Sequence, residues 1–204
     1  MKKIRFLISF SIMIFAHICA KSQSINIESL NRYFDTLELH DKTKGTVLIS
    51  KNGKTIYTRS IGWARKEDLI KNSMNTNYRV GSITKMFTAA MIFKAVEQGN
   101  LSLDQTIDKY FPTLLKGRKI KIKHLLNHRS GLANYTNFPN YSTYFNKALT
   151  RAELLDSIFV LGSETEPDVR SKYCNTNYIL LTMILQNIYN APYEVIIKDS
   201  IISP

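Results

Sequence analysis

The sequence predicts a mixed α/β (α+β) domain, and three observations carry that reading. Asn52-Gly53, the strongest short-range hairpin signal, separates two β-rich runs. A helix that is apolar on nearly every side follows. After Gly99 the patterning is helical with loops. The chain has 204 residues, 44% hydrophobic and 22% charged, which suits one domain with a real core and excludes a disordered polymer. No internal period of repeat-protein length is visible.

The first residues read as a targeting segment. "MKKIR" is basic, "FLISFSIMIFAHICA" is apolar, and Ala20 and Ser22 place small residues two apart. That layout predicts a signal peptide over residues 1–22, cleaved after about Ser22 and leaving residues 23–204 as the mature chain. The apolar run is shorter than the ~20 residues of a membrane span, so no stable span is expected after cleavage. Cys19 follows the bulky Ile18, which argues against a lipid anchor. Cleavage would take Lys2, Lys3, Arg5 and Lys21 off the net charge of +12. The remaining cations are scattered, as in "SKNGK" and "KGRKIKIK", without the interleaved aromatics of a nucleic-acid binder. A solvated surface is the expectation, and an anionic cell-envelope partner is compatible with the charge. Cys174 would be the one cysteine left, which excludes an intramolecular disulfide and any zinc-type cysteine spacing.

The elements follow in order. Ile27, Leu30, Phe34 and Leu37 recur at helical spacing, so "INIESLNRYFDTLELH" is an amphipathic helix. The hairpin occupies about 45–62, and "EDLIKNSMNTNYRVGS" is a polar connection. The central helix runs over about 82–98, with Gly99 as its C-terminal cap. Between Met86 and Phe93 only Thr88 is polar, which predicts a helix buried at the centre of the domain, with Lys85 buried in it. The region of about 100–204 is helical. Thr150 and Glu153 form a capping box before "LLDSIFV". "NTNYILLTMILQNIY" is a second long apolar helix, and Pro192 suits the start of a last one. The loop "NYTNFPNYSTYFNKAL" is rich in Tyr and Phe; it either packs on the surface or rims a pocket.

Two clusters carry chemistry. Ser82 and Lys85 stand at i and i+3, one helical turn apart on one face. A serine in a first helical turn lies near unpaired N–H groups and the positive end of the helix dipole. A neighbouring ammonium favours loss of its proton, and a neutral lysine accepts that proton; either activates a nucleophile. By itself Ser-x-x-Lys is common by chance and is better read as a helix cap followed by a surface lysine; the apolar helix around Lys85 and a second cluster tilt the balance. The second cluster is "SKYCNTNY". Tyr173 beside a lysine can act as a general base, and the Asn175 amide can hold both a lysine and a substrate.

Together these features resemble the serine β-lactamases of the class C type, with the related penicillin-binding proteins, D,D-peptidases and esterases. The resemblance rests on "GSITKMFTA", "GNLSLDQTIDKYFP", "KIKHLLNHRSGL" and "KYCNTNYILL", with "GTVLISKNGKTIYTRSIGWA" similar to the family's first hairpin and "YEVIIKDSIISP" to a closing helix. It covers about residues 25–204, and it implies a β-lactamase/transpeptidase-like fold: an antiparallel sheet flanked by helices plus an all-helical region. The resemblance implies Ser82 as the nucleophile of an acyl-enzyme, Lys85 as its activator, Tyr173 as the proton relay, and Asn175 as the residue that orients Lys85 and the substrate amide. It also implies the Ser82 backbone N–H as one of two oxyanion donors. His124 and His128, in a structural turn of the family, are expected to be packing residues; no metal or other cofactor is implied.

The sequence also departs from the pattern. The family's third motif, Lys-Thr-Gly or His-x-Gly, lies on a strand that supplies the second oxyanion donor. Here 29 residues follow Asn175 and none is glycine. Loss of one oxyanion donor typically costs ~3 kcal/mol of transition-state stabilisation. The expectation is therefore an exported, cell-envelope serine hydrolase acting on β-lactam, D-alanyl peptide or small ester substrates. The chain would be its N-terminal portion with the C-terminal strands missing, inactive by itself. The alternative is a non-catalytic product or a weak binder of cell-wall ligands.

Overall fold

The structure, a computed structural model, describes residues 25–137, 141 and 149–203. The signal-like segment and most of the Tyr- and Phe-rich loop lie outside the described residues. The chain divides between Arg79 and Val80 into two compact units.

The N-terminal unit opens with helix α1 (Ile27–Leu39), capped by Asn26, whose side-chain oxygen accepts from the Ser29 N–H at 2.9 Å. Strands β1 (Gly45–Lys51) and β2 (Lys54–Ile61) pair antiparallel, with a bulge between Ile49 and Ser50. Asn52 and Gly53 both take positive φ (52° and 75°), the requirement of a type I′ turn, which explains why this dipeptide closes the hairpin. The helix holds β2 by polar and aromatic contacts. Arg59 bonds Asp35 and Glu38, the Tyr57 hydroxyl donates to Asn31 Oδ1 at 3.0 Å, and the Phe34 and Tyr57 rings stack at 6.0 Å. A second small sheet pairs β3 (Trp63–Arg65), just past the expected hairpin, with β4 (Ile70–Lys71), which lies in the segment expected to be only a polar connection. Strands of two or three residues are too short to show an alternation in sequence.

The C-terminal unit begins with a 3₁₀ turn, Gly81–Ile83, that runs directly into α2 (Thr84–Glu97). Gly99, at φ 73°, ends the helix in the left-handed conformation that costs glycine least. Helices α3 (Ile122–Leu126), α4 (Arg151–Leu161), α5 (Asn175–Tyr189) and α6 (Tyr193–Ile197) follow, the last continuing as a π-turn over Lys198–Ile202. The capping box at α4 is present: Thr150 Oγ1 accepts from the Glu153 N–H, and the Glu153 carboxylate accepts from the Thr150 N–H. Pro192 stands just before α6, where its missing N–H costs nothing.

The core of this unit forms where α2 packs beside α5. Met91, Ile92 and Ala95 of α2 join Leu180, Leu181, Ile184 and Leu185 of α5 with no exposure, and Ile107, Ile120, Ile122 and Leu125 complete the layer. Each such aliphatic side chain contributes about 1.5–3 kcal/mol by burial. Thr88, the polar residue of that stripe, shares a 2.7 Å hydrogen bond with the Tyr193 hydroxyl. Contrary to expectation, α2 is not buried on all sides. Met86 is 71% exposed and Phe93 54% exposed, and Lys85 is half-buried. An apolar run without a period says that a helix is apolar; it does not say how much of its circumference is covered.

Candidate active site

All four residues singled out from the sequence lie in the C-terminal unit, and the fold brings them together. Ser82 sits in the 3₁₀ turn and Lys85 in the first turn of α2. Tyr173 ends an irregular segment, and Asn175 is the first residue of α5. The packing of α2 against α5 therefore sets two helix N-termini side by side, which closes a sequence gap of about 90 residues.

The geometry centres on the serine. Ser82 Oγ lies 2.9 Å from the Tyr173 hydroxyl and 3.1 Å from Lys85 Nζ. Lys85 Nζ also donates to Asn175 Oδ1 at 2.8 Å. Its ammonium lies 5.0 Å from the Tyr173 ring centre and 5.7 Å from that of Tyr178, within range of cation–π attraction. Asn175 has no freedom to flip: a lysine offers only donors, so the oxygen must face Lys85. The amide nitrogen faces Thr136 Oγ1 at 3.4 Å.

These contacts tune the phenol. Hydrogen bonding by Lys85 first, and by Ser82 second, holds the Tyr173 hydroxyl below the usual tyrosine value. Both partners favour the phenolate, so Tyr173 is easier to deprotonate than a tyrosine in water. Burial acts the opposite way on Tyr178, raising it. Burial likewise raises the Cys174 thiol, which is 3% exposed and directed at the carbonyls of Leu132 and Ala133. That thiol is a core residue between two site residues.

Sequence reasoning missed three supports. Asn134 Oδ1 accepts from the Asn175 N–H at 3.0 Å and so caps α5 from a distant loop, since the adjacent residue Cys174 makes no side-chain cap. Thr136 accepts from the amides of both Asn134 and Asn175. Asn134 and Thr136 belong to the Tyr- and Phe-rich loop, and that composition was the one available signal. The third support is His128, expected only as a packing residue: its ring does pack, 4.7 Å from that of Tyr173 and 5.2 Å from that of Tyr178, but its place against a site residue was not foreseen. Burial, and then the Lys85 charge, hold its imidazole below the usual histidine range. His124 is buried, and its Nδ1 accepts from the Lys121 N–H at 3.2 Å. Among the described residues no group of acidic, histidine or cysteine side chains is placed to hold a metal ion.

Residues 31–204 match the family described as Beta-lactamase. The chain belongs to that family. Its members are serine hydrolases, among them penicillin-binding proteins and D-amino acid amidases, and the β-lactamase/transpeptidase-like fold is shared. A penicillin-binding protein of Bacillus subtilis (strain 168) is 31% identical over 179 residues, covering 86% of this chain and 39% of its own length. The D-amino acid amidase of Ochrobactrum anthropi SV3, solved with L-phenylalanine amide, superposes with a TM-score of 0.74 at 30% identity. That match covers 85% of this chain and 49% of the amidase. The octameric penicillin-binding protein homologue of Pyrococcus abyssi superposes with a TM-score of 0.76 at 29% identity, over 88% of this chain and 43% of the homologue. This β-lactamase-family chain thus spans about two fifths of the length of the curated relatives it matches.

Proposed function

We propose that this chain carries the nucleophilic half of a serine hydrolase site that cleaves amides or esters through an acyl-Ser82 intermediate. The observation that carries the reading is the position of Ser82 Oγ within hydrogen-bond reach of both Lys85 Nζ and the Tyr173 hydroxyl. Two groups able to take or give a proton meet at one nucleophile, which is the requirement for an activated serine.

The steps follow from that geometry. Ser82 Oγ attacks the carbonyl carbon, and its proton passes to Tyr173 as phenolate or to Lys85 as free amine. The charge that develops on the carbonyl oxygen meets the Ser82 backbone N–H near the start of the helix. Collapse breaks the bond to the leaving nitrogen or oxygen, which takes a proton from Tyr173. The same phenolate then removes a proton from water, the hydroxide attacks the acyl carbon, and the bond to Ser82 Oγ breaks as Tyr173 returns that proton to it, releasing the acid and free Ser82. Asn175 holds Lys85 through Oδ1. The family resemblance also gives its amide the role of bonding a substrate amide. The substrate is a β-lactam, a D-alanyl peptide or a small ester; a relative named penicillin-binding protein supports the first, and one named D-amino acid amidase supports cleavage of an amide beside a D-residue. The basic start and apolar run of residues 1–22 favour export to the cell envelope.

The test is covalent. The chain, extended through the strand that carries the third motif, is incubated with a fluorophosphonate or a fluorescent penicillin and its intact mass is measured. One adduct, mapped by peptide sequencing to Ser82 and absent in Ser82→Ala, is the expected result. An adduct that survives Ser82→Ala, or no adduct at all, overturns the proposal.

A further inference from the structure

We infer that His128 is a positioning residue for Tyr173: one side chain and its own carbonyl grip the main chain on both sides of that tyrosine. The inference rests on the reading of Tyr173 as the proton-transfer group of the site.

The contacts are specific. The Lys172 N–H donates to the His128 carbonyl at 2.8 Å, and the Cys174 N–H donates to His128 Nδ1 at 3.2 Å. In a chain near extended geometry, N–H groups two residues apart point to one edge, so a single residue can receive both and bracket the one between. Cys174 has that geometry, at φ −147° and ψ 116°. The His128 ring then lies against the bracketed tyrosine, 4.7 Å between centres at 38°. The flanking residues continue the same attachment: Ser171 Oγ donates to the Asn127 carbonyl at 3.1 Å, and the Asp168 N–H donates to the Arg129 carbonyl at 2.8 Å.

The grip matters because of what Tyr173 lacks. Its side chain is 53% exposed, and its hydroxyl reaches Ser82 only while the backbone beneath it stays in place. A side chain half in water samples several rotamers unless something holds its base and one face. His128 supplies both.

The residue type is explained by the same contacts. His128 takes φ 56°, a left-handed conformation that suits asparagine and glycine better than most residues. An acceptor at Nδ1 requires the neutral ring with its proton on Nε2. An imidazolium would set two donors face to face. A histidine that merely filled space would need no acceptor there. Asparagine supplies an oxygen at a similar place and tolerates the backbone; glycine tolerates the backbone and supplies nothing.

That contrast gives the test. Tyrosine labelled with ¹³C at Cζ reports each phenol's titration by NMR, and the Tyr173→Phe spectrum assigns the Tyr173 signal. In the 204-residue chain Tyr173 should titrate below ordinary tyrosine. His128→Gly should move it up toward the ordinary value, because the phenol leaves Lys85 and Ser82. His128→Asn should restore the low titration. Modification of Ser82 should slow by up to ~10²-fold in His128→Gly, the scale of an ångström's misplacement. An unchanged Tyr173 titration in folded His128→Gly overturns the inference, and so does His128→Asn behaving like His128→Gly. Should the glycine variant fail to fold, His128→Asn alone decides, by whether its Tyr173 keeps the wild-type titration. If Ser82 is modified in no variant, the nucleophile reading fails, and the NMR titration still answers for His128.

Discussion

Replacing Tyr173 by phenylalanine separates chemistry from folding more cleanly than any other change at this site. The substitution removes one oxygen. The ring that lies against His128 is kept, and so are the backbone bonds of Lys172 and Cys174. The lost oxygen is the one 2.9 Å from Ser82 Oγ. Stability should change little, because the residue is 53% exposed and water can satisfy the Ser82 hydroxyl; surface changes of this kind stay within about 0.5 kcal/mol. The rate should change greatly. A positioned acid–base group contributes about 10²–10⁴-fold, or roughly 3–5.5 kcal/mol of barrier at 1.36 kcal/mol per decade. Lys85 stays bonded to Asn175 and can still assist Ser82, which favours the lower part of that range. The assay is the second-order rate of fluorophosphonate attachment to Ser82, read by intact mass, beside a urea unfolding curve. A fall of about 10²-fold with an unchanged urea midpoint is expected. Attachment at the wild-type rate would refute the role given to Tyr173, and a shifted midpoint would refute the claim that its oxygen serves chemistry alone.

Two further outcomes follow from the scaffold. Gly131 stands at φ 73°, and a Cβ there would meet the Thr165 carbonyl oxygen at 2.5 Å, so Gly131→Ala should destabilise by about 1–3 kcal/mol or more, seen as a lower urea midpoint; a wild-type midpoint would contradict the packing of this turn. Stability should also fall as pH drops from about 6.5 toward 5. His124 and His128 are both depressed, chiefly by burial, so the unfolded chain takes up protons first; their cost is absent above the unfolded value and grows as pH falls through the folded ones. The groups that face His128 are Lys85 from α2, Tyr173 and Cys174 from the bracketed segment, and Tyr178 from α5. Urea midpoints at pH 7.5 and 5 measure the effect, and equal midpoints would disprove it.

The parts of this molecule that a sequence makes legible are those whose signal is local. Asn52-Gly53 closes a hairpin because both residues accept positive φ, and that preference travels with the dipeptide. Thr150 and Glu153 cap a helix because they are three residues apart. Ser82 and Lys85 meet for the same reason. Tyr173 and Asn175 are different: nothing local joins them to Lys85, and the resemblance to a known family supplied the link that the packing of α2 on α5 then makes in space.

What stayed illegible is non-local in every case. Asn134 caps a helix 41 residues downstream, and His128 reaches Cys174 across 46. Neither spacing has a periodicity, so neither residue stands out from an ordinary loop asparagine or an ordinary packed histidine. The burial of Lys85 failed for a related reason. Composition showed α2 to be apolar, but coverage is a property of neighbours, and among the described residues the neighbours fully bury only the stripe of Thr88, Met91, Ile92 and Ala95. A half-buried lysine is in fact better suited to the chemistry than a buried one. Its charge reaches Ser82 and Asn175 at bonding distance and lies 5.0 Å from the Tyr173 ring centre, yet its desolvation cost is partial. The site therefore depends less on a dry pocket around Lys85 than on the fixed positions of the three groups it touches. That is why the residues that bond the main chain beside Tyr173 and at Asn175, His128 and Asn134, belong to any account of the activation proposed for Ser82.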